Sequence, residues 1–135
     1  MSLPAPAISD HCKPYWDAVA AGDLRLQRCR DCRRWIHFPE LACPVCGSDR
    51  LGFERVSGRG EIETFTEIHR SFVPGFEPPY IVAWIALPEQ PGLRTLANII
   101  DSDPAQVAIG RAVEFCVETR GDVSLPQFRL CRRQD

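Results

Sequence analysis

The sequence predicts a mainly β protein: a short N-terminal helix, a compact cysteine-bearing ribbon, then a small five-stranded barrel. Three observations carry this. Two Cys-x-x-Cys pairs, Cys29/Cys32 and Cys43/Cys46, stand ten residues apart. Around and beyond them, apolar residues recur mostly with the two-residue period of strands. Gly58-Arg59-Gly60 then marks a boundary, after which segments rich in Thr, Ile, Val and Phe alternate with Pro/Gly turns. The expected segments are residues 1–22, 23–57 and 58–135.

The elements follow in order. Pro4 and Pro6 keep the start irregular, and Pro14 suits the first turn of a helix, where a missing N–H costs little. Tyr15, Trp16, Val19 and Ala20 then share one helical face, and Gly22 is placed to stop it. That face either packs on its own protein or docks a partner, with Tyr15 and Trp16 as the docking residues. Leu24-Arg25-Leu26-Gln27-Arg28 alternates into the first cysteine pair, Trp35-Ile36-His37-Phe38 is a return strand stopped by Pro39, and Leu51 to Val56 is a third. In the barrel segment, strands are expected at 61–69, 80–87, 94–100 and 113–118, with a final edge strand at 127–130. The 80–87 stretch is nearly all apolar and suits a strand buried on both faces. Val113, Phe115 and Val117 are expected to point inward, and Asp103-Pro104 signals a single capped helical turn. Five strands with a short helix between the third and fourth fit a Greek-key barrel of the OB type, with an SH3-like barrel or small sandwich as the alternative.

Composition narrows the function classes. The chain has 135 residues, 44% hydrophobic and 25% charged, which is ordinary for a globular protein and wrong for a disordered tail. Its longest apolar stretch, 80–87, is far short of the roughly 20 residues a membrane-spanning helix needs. No basic start with an apolar core opens the chain, so a cytoplasmic protein without membrane attachment is expected. Up to Ser57 there are eight Lys+Arg against seven Asp+Glu; from Gly58 there are eight against eleven. The barrel is therefore acidic, which counts against a phosphate-neutralising face and against nucleic acid as a partner.

Seven cysteines without a secretory signal point to metal or redox chemistry and away from disulfides. Two Cys-x-x-Cys turns facing one another present four thiolates at tetrahedral corners, a set Zn²⁺ accepts. Cys29, Cys32, Cys43 and Cys46 fill that shell and leave no position for water or substrate, so the site should be structural. Iron of the rubredoxin type uses the same ligands, but only Cys43-Pro44-Val45-Cys46-Gly47 carries the Pro and Gly of such a turn. A redox pair would need one reactive Cys-x-x-Cys in an α/β setting. Arg28, Arg30, Arg33 and Arg34 either offset the charge of the thiolates or form a solvated run. Cys12, Cys116 and Cys131 read as free structural cysteines. His11, His37 and His69 form no catalytic pattern, and no phosphate loop, deaminase motif or nucleophile elbow is present.

From Tyr15 to Phe128 the chain resembles the bacterial and archaeal family built from a helix, a rubredoxin-like zinc ribbon and an OB-fold (domain of unknown function thirty-five). The resemblance is carried by Tyr15-Trp16, Gly22-Asp23-Leu24, Leu26-Gln27-Arg28-Cys29-x-x-Cys32, Phe38-Pro39 and Cys43-Pro44-x-Cys46-Gly47. Further along come Ser57-Gly58-Arg59-Gly60, Phe65-Thr66, Pro79-Tyr80-Ile81-Val82-Ala83, Leu87, Ile109-Gly110 with Val113, and Leu125-Pro126-x-Phe128. The chain departs where Glu40 and Leu41 replace a second proline and an arginine, and where Arg33 stands in place of a glycine. The resemblance implies a non-catalytic accessory protein of acyl-CoA and lipid metabolism, with structural Zn²⁺. Its partners would be a thiolase-like or hydratase subunit and acyl-CoA. Arg59, His69 and Arg70 would then meet phosphates, with Phe72, Phe76 and Tyr80 covering the adenine or acyl group. The alternatives are a single-stranded nucleic-acid module and an independent enzyme.

Overall fold

A computed structural model describes residues 5–71, 75 and 77–132. A single 3-10 turn, Asp10–Cys12, runs into α1, Lys13–Ala20, with Pro14 in its first turn. The helix ends where Gly22 takes φ +84°: its N–H bonds to Val19 O (2.9 Å) and that of Asp23 to Ala18 O (2.9 Å). This pair of bonds satisfies two of the last carbonyls, and only a residue tolerant of the left-handed region closes it without strain. The buried stripe is Cys12, Tyr15, Ala18 and Val19. Ala20, expected on that face, is exposed, because the stripe drifts back toward Cys12 as helical spacing dictates.

Next comes a three-stranded antiparallel sheet of β1 (Arg25–Cys29), β2 (Trp35–Ile36) and β3 (Leu51–Arg55), in the order β2-β1-β3. The return strand is shorter than its apolar pattern suggested, because His37 and Phe38 leave the sheet to meet the barrel and the helix. The second sheet contains β4 (Arg59–Ile68), β5 (Tyr80–Ala86), β6 (Arg94–Asn98), β7 (Ala112–Arg120) and β8 (Val123–Leu130), in the order β6-β5-β4-β7-β8. A parallel bridge between Ile99 and Phe128, with Ile100 N–H bonded to Phe128 O at 2.9 Å, brings its two ends together. The result is a nearly closed five-stranded barrel of the OB type. The turn Pro104–Gln106 stands between its third and fourth strands, capped by the Asp103 carboxylate on Ala105 N–H.

Three strand expectations need correcting. β8 begins at Val123, earlier than expected; it stands last in the sheet, and its bridge to Ile99 draws it toward β6, with Phe128 wholly buried. β5 is buried on one face only, through Ile81, Ala83 and Ile85, while Tyr80, Val82 and Trp84 are half-buried. An antiparallel barrel has a single interior, so the other face depends on partial cover from outside. Val117 is exposed because β7 leaves β4 after Glu114 and continues paired with β8 alone.

One core runs through all three parts, from Tyr15 and Val19 through Leu26, Trp35 and Val56 to Ile85, Val113 and Phe128. The β5–β6 connection ties the ribbon to the barrel. Its Gln90 amide pairs with both backbone groups of Trp35 (2.9 and 3.2 Å), as a further strand would, and its Glu89 accepts from Ser57 N–H (2.8 Å). Where β4 crosses β5 the strands approach very closely: a Cβ on Gly60 would lie 2.5 Å from Ile85 Cγ2 and 2.8 Å from Ala86 O. Gly60→Ala is therefore expected to lower stability by about 1–3 kcal/mol, read as a shifted urea midpoint. A neutral result would mean that the crossing has slack.

Candidate metal centre and apolar groove

The two cysteine turns are built alike. In the first, Arg33 N–H bonds to Cys29 O (3.0 Å); in the second, Gly47 N–H bonds to Cys43 O (2.9 Å). Both closing residues have positive φ, 67° at Arg33 and 77° at Gly47. Glycine adopts this at no cost, whereas Arg33 carries a strain of about 1 kcal/mol or more. The turns bring Cys29, Cys32, Cys43 and Cys46 together, with all four Sγ atoms within 4.8 Å of one another. Cys29 and Cys46 are 3.6 Å apart, as are Cys32 and Cys43. A tetrahedron with metal–sulfur arms of about 2.3 Å has corners roughly 3.8 Å apart, so the donor set fits a four-coordinate ion and fills its shell. At Cys29 and Cys43 the thiolate form is favoured by aimed amides, while burial and the neighbouring thiols push Cys32 and Cys46 up. Cys32 N–H points at Cys29 Sγ (3.4 Å), and it and the Asp31 amide hold the Cys29 thiol down to about 6. The amide of Cys46, with that of Val45, lowers Cys43 against the effect of burial.

Beside the ribbon, on the outer face of β5 and β6, lies an apolar groove of about 590 Å³. Val82, Trp84 and Leu96, on that outer face, form its floor, with Trp16 and Phe38, Leu125 and Pro126, and Ile68 and Tyr80 around it. In OB barrels the face of the second and third strands, bordered by these loops, is where ligands bind. The groove's arginines and the Gln127 amide are already engaged. Arg94 stacks over the Trp84 ring (4.4 Å) and pairs with Glu63 (3.0 Å), and Arg120 pairs with Glu118 (2.6 Å). Gln127 bonds to both Glu118 and Asn98.

Between metal centre and groove sits His37. Its Nε2 is 3.2 Å from Thr95 Oγ1. Its Nδ1 is buried with no partner among the described residues. Burial pushes the imidazole down to about 4, so it is neutral at pH 7, and pushes the Tyr15 phenol well above its usual range.

The remaining residues singled out in the sequence are scattered. Tyr15 is 2% exposed and belongs to the core, so of the two helix aromatics only Trp16 reaches the surface. Arg59 opens β4, while His69 and Arg70 follow its other end, with roughly 30 Å of ten-residue strand between them. The three cannot meet one phosphate group. His69 lies beside Glu67 (3.4 Å), and Tyr80 lines the groove. Phe72 and Phe76 lie outside the described residues. Phe38, Trp84 and Leu96 were not singled out. The alternation within 80–87 could have marked Trp84 as outward, but His37 and Thr95 are 58 residues apart and nothing local joins them.

Family models described as "ChsH2, rubredoxin-like zinc ribbon domain" and "ChsH2, C-terminal OB-fold domain" match residues 16–52 and 53–118. The chain is 32% identical to a probable enoyl-CoA hydratase alpha subunit of Thermomonospora curvata, over 93% of this chain and 39% of that protein. It is 33% identical to a DUF35 domain-containing scaffold protein of Methanothermobacter thermautotrophicus, over 69% of this chain and 70% of that one. Among solved structures, a chain of the Ltp2-ChsH2(DUF35) aldolase superposes with a TM-score of 0.85 at 31% identity, covering 93% of this chain and 98% of that one. The chain spans well under half the length of the hydratase subunits it matches.

Two expectations follow from the geometry. Cys43→Ser or Cys46→Ser should leave the ribbon unfolded and the protein metal-free, because so small a module cannot hold its core without the ion. Elemental analysis with circular dichroism reads this, and a well-folded, metal-free double variant would refute it. His37 supplies a pH dependence. Its folded pKa lies below the unfolded value of 6.5, so the unfolded chain binds more protons between about 4 and 6.5, and stability falls as pH drops through that window. The loss should total about 3 kcal/mol, and His37→Gln should remove that part of the slope; parallel slopes for both proteins would contradict it.

Proposed function

Because the chain belongs to the DUF35 family of zinc-ribbon and OB-fold proteins, we propose that it is a non-catalytic subunit of a cytoplasmic acyl-CoA-processing assembly. It holds the acyl part of the thioester in the groove and docks on a hydratase-like or thiolase-like enzyme. The observation that carries this reading is the groove itself: about 590 Å³, walled by aromatic and aliphatic side chains, on the ligand face of the barrel. His69 and Arg70 follow directly on Ile68 at the Tyr80 end, where the phosphates of a thioester would emerge. Arg59, at the far end of β4, has no part in it. Names among the relatives support the same direction: hydratase alpha subunit, scaffold protein and aldolase.

The ion in the cysteine site is zinc on this reading, held for structure, with Cys29, Cys32, Cys43 and Cys46 as its ligands. Segments 1–22, 23–57 and 58–135 act together as one binding unit, since helix, ribbon and barrel each contribute side chains to the groove lining. A single-stranded nucleic acid would use the same barrel face and its aromatic rings. Against it, Arg94 and Arg120 are both committed to carboxylates.

Calorimetric titration with octanoyl-CoA, free CoA and a thymidine decamer tests the proposal. Octanoyl-CoA should bind at least tenfold more tightly than CoA, since burying even two methylenes contributes about 1.6 kcal/mol. Leu96→Asp, which places a charge on the groove floor, should abolish that preference. Equal affinity for the two CoA forms, or tighter binding of the decamer, would sink the acyl-CoA reading.

A further inference from the structure

The groove wall and the metal centre share one short piece of backbone. Ile36 packs directly against Cys29 and Cys43 in a cluster of its own. The next residue, His37, bonds across to Thr95 on the barrel. Phe38 then enters the groove, where its ring lies 5.4 Å from Tyr15 and 6.4 Å from Trp16. Two residues further on, Glu40 is clamped to β1 by the buried Gln27 amide, which accepts from Glu40 N–H (2.8 Å) and donates to its carbonyl (2.9 Å). Cys43 follows after only two more residues. The segment from Ile36 to Cys43 is thus held at both ends by the ribbon and in the middle by the groove.

We propose that metal retention in the four-cysteine site is thermodynamically linked to the groove through Phe38, so that filling the groove tightens the hold on the ion. A ligand that packs on Phe38 favours the backbone arrangement that also sets Ile36 and Cys43. By reciprocity, the metal-loaded ribbon presents the wall that a ligand needs. The coupling runs through packing and backbone position alone. It rests on the acyl-CoA reading only for the choice of one probe.

The test is equilibrium competition of the metal-loaded full chain against a high-affinity chelator, reading metal affinity. Phe38→Ala and Leu41→Ala remove exposed apolar side chains from the same segment, 50% and 76% exposed respectively, but only Phe38 lines the groove. Phe38→Ala should weaken metal binding by roughly fivefold or more, and Leu41→Ala by less than about twofold. Equal effects of the two variants would overturn the linkage. In the second arm octanoyl-CoA is added, its binding being followed independently by calorimetry. Binding with a matching rise in metal affinity, lost in Phe38→Ala, supports the linkage, and binding without such a rise overturns it. If octanoyl-CoA does not bind while Phe38→Ala still weakens the metal, the acyl-CoA reading falls and the linkage stands.

Discussion

Four consecutive residues, 35 to 38, serve separate environments, and the rest of the molecule depends on their staying in register. Trp35 enters the main core, Ile36 the small cluster around Cys29 and Cys43, His37 reaches Thr95 on the barrel, and Phe38 walls the groove. Strand alternation makes this possible, since successive side chains leave on opposite faces. A shift of one residue would exchange the two cores, placing Trp35 against the thiolates and Ile36 in the barrel joint. The register is pinned by backbone as well as by packing. Cys29 N–H bonds to Arg34 O on one side, and Gln90 fills the open edge of β2 on the other.

Gln90 and Gln27 recur in the same role, each spending donor and acceptor on the backbone groups of one residue that a neighbouring strand would otherwise have satisfied. Gln127 accepts from Asn98 N–H and donates to the Asn98 and Glu118 side chains. Gln27 and Gln127 are almost fully buried, where an unpaired amide would cost about 1–3 kcal/mol. The ribbon, only three short strands, thereby closes its edges without adding residues. This accounts for one continuous core in place of two separate modules joined by a hinge.

Much of this was legible in the sequence where the cause is local. The cysteine spacing, Pro14 and Gly22 at the ends of the helix, Asp103 capping a single turn and the two-residue period of the barrel strands all act over a few residues. What was not legible depends on partners far along the chain. Val117 has the same alternation as Val113, yet one is exposed and the other wholly buried, because β4 accompanies β7 only as far as Glu114. The groove is of the same kind: it forms where Trp84, on the outer face of β5, meets Phe38 of the ribbon and Trp16 of the helix along one lining, and these lie far apart in the chain. Arg59 and His69 read as neighbours because both flank one strand, and it is the length of β4 that separates them.

The arrangement of charge explains why so apolar a groove survives beside so many arginines. Around the ribbon, Arg28 and Arg33 share Glu54, Arg50 meets Asp31, and Arg30 lies flat across Gly52, where any Cβ would strike its guanidinium at 2.8 Å. Arg28 also covers the Trp35 ring at 4.5 Å. These exposed pairs contribute little stability individually, on the order of 0–1 kcal/mol each. Their effect is directional: they hold the cations over ribbon strands, while at the groove Glu63 fixes Arg94 over the Trp84 ring and Glu118 fixes Arg120. A polyanionic strand laid along β5 and β6 would have to break those pairs before gaining any phosphate contact. An uncharged hydrocarbon disturbs none of them and packs on the apolar surface they leave open. On the proposed reading, this side-chain pairing favours an apolar ligand over a polyanionic one.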